Sequence, residues 1–210
     1  MLTISISGII RLLRQAKESI MTRPQREIRM QIIGLSGKRG TGKTSLAEYY
    51  SKHHGYEVVS FAKPLRQLAK TLFPLTDKDL GDPKLKEKPF RHYSWSPREF
   101  LINLGEFMRY HEPSYWLDMG LAQCKDKTGR YVFDDVRYVN EAEGLKALGA
   151  KIIRVNRFEK NNPYGKNLDT PSETSLDAYS FDFVVHDCVN VKLSDLYGQG
   201  DLFLKETKWQ

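Results

Sequence analysis

Cysteine is scarce: Cys124 and Cys188 are the chain's two. That is too few for the disulfide framework of a small secreted domain, and it points to a reducing compartment. Long apolar runs are missing as well. No stretch approaches the roughly 18–20 residues needed to span a bilayer, so no membrane-spanning helix and no membrane partner are expected. The histidines, His53, His54, His92, His111 and His186, lack metal-ligand spacing, which argues against a zinc centre. No Asn-Lys-x-Asp motif is present, so a GTPase that reads guanine is excluded. Asp126-Lys127-Thr128-Gly129 has D-x-x-G spacing but precedes a strand-like run and reads as a polar turn.

What the chain has is globular composition: 40% hydrophobic and 28% charged residues over 210 positions, enough for one ordinary domain with a real core. The net charge is +7 and unevenly spread. Residues 1–30 carry Arg11, Arg14, Lys17, Arg23, Arg26 and Arg29 against Glu18 and Glu27, more than half of the excess. Ile9, Leu12, Leu13, Ala16 and Ile20 recur there at helical spacing. With Met21 and Met30 as further in-frame starts, 1–30 reads as a basic extension outside the folded unit, disordered or not native. A docking helix or a targeting segment is the alternative.

From Gln31 strand-like and helix-like segments alternate. Strands are expected at 31–36, 57–61, 130–136, 151–155 and 181–186. Helices are expected at 43–54, 64–73, 97–111, 113–125, 140–148 and from 193 onward. Ser96-Pro97-Arg98-Glu99 has the cap, the first-turn proline and the acid of a helix start. Residues 76–92, polar and lysine-rich, read as an exposed connection, and 156–175 as a mobile lid loop. The alternation predicts an α/β fold: about five parallel strands with helices on both faces, in one domain over 31–210.

Gly37-Lys38-Arg39-Gly40-Thr41-Gly42-Lys43-Thr44 matches G-x-x-x-x-G-K-[ST] between a strand and a helix. The glycines let successive N–H groups face phosphate oxygens, and the helix that follows adds the positive end of its dipole. Lys43 would bridge the β- and γ-phosphates and Thr44 would ligate Mg²⁺; Ser45 completes the ATP-binding set. Asp134 or Asp135, at the end of the third strand, would hold the Mg²⁺ water shell. A kinase must also grip two anions and exclude water. Arg109, Arg137, Arg154 and Arg157 lie in or beside the flanking segments, with Arg137 at a strand's carboxyl end, where such sheets bind ligands.

Taken in order, these motifs resemble the deoxynucleoside monophosphate kinases of tailed bacteriophages. They are the P-loop, Ser60-Phe61-Ala62-Lys63-Pro64-Leu65-Arg66, Leu104-Gly105-Glu106-Phe107-Met108-Arg109, Asp135–Glu141, Arg154, Arg157 and Pro171-Ser172-Glu173. The resemblance covers 31 to about 200 and implies phosphoryl transfer from ATP to a deoxynucleoside 5′-monophosphate. It implies that Arg109 and Arg137 hold the acceptor phosphate, that Arg154 and Arg157 cover the transferring group, and that Phe61, Lys63 and Arg66 line the acceptor pocket. The expected partners are nucleotides with no stable nucleic acid, a homodimer is allowed, and the expected place is the cytoplasm, the host's for a phage gene. Other small-molecule kinases, acting on dephospho-coenzyme A or phosphomevalonate, are an alternative reading. A P-loop ATPase or switch binding nucleic acid through the basic extension is another.

Overall fold

The computed structural model describes residues 30–157, 170–186, 192–207 and 209. The basic extension up to Arg29, most of the expected lid (158–169) and Cys188 lie outside the described residues.

The strands are β1 (Gln31–Ser36), β2 (Glu57–Val59), β3 (Arg130–Phe133), β4 (Lys151–Val155) and β5 (Phe183–Val185). They form one parallel sheet in the order β2-β3-β1-β4-β5. The helices are α1 (Lys43–His54), α2 (Ala62–Leu72), α3 (Asp77–Gly81), α4 (Pro97–His111), α5 (Tyr115–Leu121), α6 (Val139–Lys146), α7 (Pro171–Thr174) and α8 (Leu193–Glu206). β1 is central because it is apolar on both faces, with Ile32, Ile33 and Leu35 fully buried. Ile32 points to a cluster with Tyr131, Phe133, Ile152, Ala142 and Leu145, under α5 and α6. Ile33 and Leu35 point the other way, to Leu46, Tyr50, Ile153, Leu196 and Phe203, under α1 and α8. Each fully buried Ile or Leu is worth about 1.5–3 kcal/mol against exposure, so the two faces fix the register of the strand.

The segment 76–92 differs from its expectation. It folds as part of a helical lobe with α2 and α4. Leu75, Leu80 and Phe90 are buried around Ala69, with Phe73, Trp95 and Phe100 packed against them. Thr76 and Asp79 form a capping box that starts α3, a feature worth roughly 0.5–2 kcal/mol. Leu75, Leu80, Leu85 and Phe90 fall five residues apart, a spacing that matches neither helix nor strand period, so the burial left no pattern to read.

The strands are also shorter than expected. β2 ends at Val59 because Phe61 and Ala62 turn their amides to the Asp135 carboxylate, which moves the start of α2 forward to Ala62. β3 ends at Phe133, leaving Asp134 and Asp135 in the turn beyond its carboxyl end. α7, four residues long, sits in what read as loop.

Candidate active site

The carboxyl ends of the strands converge on one edge, where open parallel sheets bind ligands. The loop after β1 turns through positive φ at Gly37 (147°), Gly40 (79°) and Gly42 (99°). A Cβ at Gly37 would collide with the Val155 carbonyl of β4, so only glycine fits against that neighbour. Lys43 is 7% exposed, and its Nζ donates to the carbonyls of Gly37 (2.7 Å) and Lys38 (2.8 Å). Thr41 Oγ1 donates to the same Lys38 carbonyl at 3.0 Å. Burial, then the Arg137 guanidinium, lowers the Lys43 ammonium to about 7. A phosphate chain is the partner that would restore its charge.

Asp134 and Asp135 have separate tasks. Asp135 accepts from Ser60 Oγ and from the amides of Phe61 and Ala62, each at 2.8 Å, and so latches the β2–α2 turn to β3. Asp134 Oδ2 receives Thr44 Oγ1 at 3.4 Å, while Oδ1 is buried with no partner among the described residues. Burial, with the Asp135 charge second, raises Asp134 to about 6. An orphaned buried carboxylate oxygen beside the P-loop threonine fits a divalent cation. Among the described residues no cluster of three or more His, Cys, Asp or Glu gathers as for a metal. Mg²⁺ held through one carboxylate, a hydroxyl and nucleotide phosphates needs no such cluster.

Beside the P-loop opens a cleft of about 240 Å³ between the helical lobe and the sheet edge. Phe61, Leu65, Leu80, Leu101, Ile102 and Trp116 make its apolar wall. Arg39, Arg66, Lys86, Arg98, Arg109 and Arg137 bring six cations to it, and Glu106, Asp135, Glu141 and Glu173 four acids. Arg137 Nη1 is bound by Glu173 Oε1 (2.6 Å) and the Ser172 carbonyl (3.1 Å). The other oxygen of Glu173 accepts the Arg39 amide of the P-loop at 2.8 Å. Arg109 Nη2 is bound by Glu141 Oε1 at 2.9 Å, and its guanidinium lies 3.7 Å from the Tyr138 ring centre.

A P-loop edge facing a cationic cleft is what a kinase needs, and a relative gives the family. A protein of Acanthamoeba polyphaga mimivirus assigned as a deoxynucleotide monophosphate kinase is 31% identical over 191 residues, covering 81% of this chain and 94% of the relative. The chain belongs to the deoxynucleotide monophosphate kinase family. No protein-family model matches it. Solved structures similar to it include a gluconokinase of Sinorhizobium meliloti, 14% identical, over 87% of this chain and all of that one, with a TM-score of 0.45. A shikimate kinase of Acinetobacter baumannii is 11% identical over 87% and 96% of the two chains, with a TM-score of 0.46. By the family its 31% identical relative gives it, the protein is a P-loop phosphotransferase of small molecules with ATP as phosphate donor. No described helix is long and apolar enough to cross a membrane.

The remaining residues of this kinase's site divide clearly. Arg157 reaches the P-loop, donating to the Gly40 carbonyl at 3.1 Å. It also lines a second cavity, of about 170 Å³, with Thr41, Gly42, His186 and Asp195. Arg154 binds Asp177 Oδ1 at 2.7 Å and lies near Ser36 Oγ at 3.4 Å; Lys38 shares Asp177 at 3.5 Å. Arg154 and Arg157 thus stand beside the P-loop and not on the cleft wall. Phe61 and Arg66 face the cleft, whereas Lys63 is exposed and absent from its wall, a departure from the expected pocket. The helix α2 starts at Ala62, and the turn that sets it swings Lys63 outward. Cys124 is a packing residue: 3% exposed, with burial raising its thiol to about 11.

Lys86, Arg98, Glu106, Glu141 and Glu173 were not among the expected site residues. Arg98 read only as a first-turn residue of α4 and Lys86 as one lysine among several. Burial comes first, with the Arg39 and Arg98 guanidinia next, in holding the Lys86 ammonium below its usual range. Glu87 draws Arg39 (3.0 Å) and Arg98 (2.6 Å) together.

Proposed function

We propose that the protein transfers the γ-phosphoryl group of ATP to a deoxynucleoside 5′-monophosphate, releasing the deoxynucleoside diphosphate and ADP. The observation that carries this reading is the cleft beside the P-loop, with an apolar wall suited to a base and sugar and six cations suited to a phosphate dianion. The assignment of the mimivirus relative supports the same acceptor class.

In this reading an oxygen of the acceptor phosphate attacks the γ-phosphorus, and the bond from that phosphorus to the β-phosphate bridging oxygen breaks. The nucleophile is already an anion, so no general base is required. Acceleration comes from positioning and from neutralising charge on the transferring group. Lys43 and the P-loop amides hold the donor phosphates, Arg137 and Arg109 face the acceptor phosphate, and Arg157 serves the donor side. Thr44 and Asp134 would hold Mg²⁺, which would supply charge to screen the phosphates. The cavity beyond Gly42 supplies room for a further part of the donor.

Product analysis tests the reading. Incubation with ATP, Mg²⁺ and each deoxynucleoside monophosphate should convert at least one to its diphosphate, with one ADP per product. ADP release without a new diphosphate would overturn the acceptor assignment. Removal of residues 1–29 should leave this conversion intact. Loss of salt-sensitive DNA binding on that truncation, from a protein with no kinase activity, would favour the nucleic-acid switch instead.

A further inference from the structure

Glu141 is the most deeply buried acid in the cleft wall, 1% exposed. Its two oxygens face different parts of the site. Oε1 accepts Arg109 Nη2 at 2.9 Å, from α4 of the helical lobe. Oε2 accepts the amides of Arg137 (2.9 Å) and Tyr138 (3.1 Å), in the turn after β3 on the sheet side. Arg109 is thereby held on one edge by Glu141 and on its face by the Tyr138 ring, 3.7 Å from the ring centre. Glu106 Oε1 lies 3.6 Å from Arg109 Nη1 and receives the Tyr138 hydroxyl. Arg109 Nε is buried without a partner among the described residues. A guanidinium so enclosed has little rotational freedom, and the side chain that fixes its plane is Glu141.

A cap alone does not require this arrangement. The capping box of α6 needs one oxygen on the Tyr138 amide. It does not need a second oxygen in the cleft, nor the cost of a buried carboxylate. Burial pushes Glu141 above its usual range, and the Arg109 guanidinium opposes that shift.

We propose that Glu141 is a positioning residue for phosphoryl transfer: it fixes the Arg109 guanidinium toward the acceptor and couples its orientation to the turn that carries Arg137. The inference rests on the reading of the cleft as the acceptor site. Because Glu141 ties α4 to the sheet edge, loss of its charge frees Arg109 without removing a group that touches ATP.

The test uses the full chain. Glu141→Gln keeps an oxygen for the two amides and loses the charged partner of Arg109. Its acceptor KM should rise about tenfold or more, the scale of a lost charge-assisted bond, with the ATP KM within about twofold of the wild type. Arg109→Gln should raise the acceptor KM comparably, and the double variant should be no worse than Arg109→Gln alone, since both act through one contact. The Arg109 Nε–Hε resonance should be sharp in the wild type and should broaden or shift in Glu141→Gln. If Glu141→Gln fails to fold, Glu141→Asp, which withdraws the carboxylate by one methylene, should give the same acceptor KM rise and the same change in the resonance. An unchanged acceptor KM in the folded Glu141 variant, with Arg109→Gln impaired, overturns the inference alone. Equal and additive effects of the two substitutions also overturn it. An Arg109→Gln enzyme with a normal acceptor KM instead overturns the reading of the cleft.

Discussion

Around the P-loop several side chains bind main-chain atoms: Lys43 Nζ the Gly37 and Lys38 carbonyls, Thr41 the Lys38 carbonyl, Arg157 the Gly40 carbonyl. Around the cleft they run from side chain to side chain: Arg109 to Glu141, Arg137 to Glu173, and both Arg39 and Arg98 to Glu87. The first site is written in one continuous stretch whose shape glycine conformations dictate. The second is assembled from segments far apart in the chain, and carboxylates orient its arginines. In the proposed reading a donor site of main-chain groups would hold a triphosphate tail without reading its base, and substrate choice would reside in the acceptor site of side chains. The only bridge between them in the described residues that joins a P-loop amide to a cleft arginine is Glu173.

The largest effect expected is from Lys43→Ala. It removes the single buried cation of the P-loop and should lower kcat by about 10²–10³-fold, measured by ADP release under saturating substrates. A near-normal rate would break the comparison on its donor side.

Asp134→Asn comes next. It should cost about a hundredfold in rate while raising the thermal midpoint. The Asp134 carboxyl, raised to about 6, is above its unfolded value, so its ionised form is disfavoured by folding. That penalty is present above pH 6 and vanishes as pH falls below about 4, and the amide removes it, on the order of 1–3 kcal/mol after allowance for partial exposure. A lowered midpoint would mean that Asp134 is a structural ion partner. The same groups set the pH profile of kcat/KM for ATP in the free enzyme. Activity should fall below about 6 as Asp134 takes a proton and above about 7 as Lys43 loses one. The profile of kcat should be broader on the alkaline side, because bound phosphate holds the Lys43 proton.

Much of the donor side was legible because the motif is contiguous and its neighbours, a strand and a helix, have clear periods. The parallel sheet followed from the alternation of strand-like and helix-like segments that begins with the apolar run Gln31–Ser36, whereas the strand order that makes β1 central came only with the fold. The acceptor side was less legible. Arg109 and Arg137 could be picked out from position, yet their carboxylate partners Glu141 and Glu173 are brought to them only by the fold. Lys86 and Leu80 lie in a segment whose five-residue spacing hid its burial. The adjacent acids Asp134 and Asp135 differ in role because the turn after β3 aims them differently: Asp135 reaches the β2–α2 turn and Asp134 stays beside Thr44. No sequence period records that choice.

Arg137→Ala should sharpen the comparison from the acceptor side, raising the acceptor KM by roughly 10–100-fold with a smaller change in the ATP KM. The reverse split would move Arg137 to the donor site. The smallest effect is expected for Lys86→Gln. Its charge is shared with Arg39, Arg66 and Arg98, so the acceptor KM should rise about two- to fivefold. The rise should shrink at high ionic strength, because screening weakens exposed charge pairs first.

The central claim is that the cleft takes a deoxynucleotide while the P-loop takes ATP. The direct measurement is the initial rate of ADP formation at fixed ATP and Mg²⁺ with each of the four deoxynucleoside monophosphates. The ribonucleoside monophosphates, dephospho-coenzyme A, phosphomevalonate and a blank without acceptor complete the set. The account predicts a rate that depends on a deoxynucleoside monophosphate and stays at the blank with dephospho-coenzyme A and phosphomevalonate. A rate equal to the blank with every deoxynucleotide, or one driven by dephospho-coenzyme A or phosphomevalonate, would contradict it.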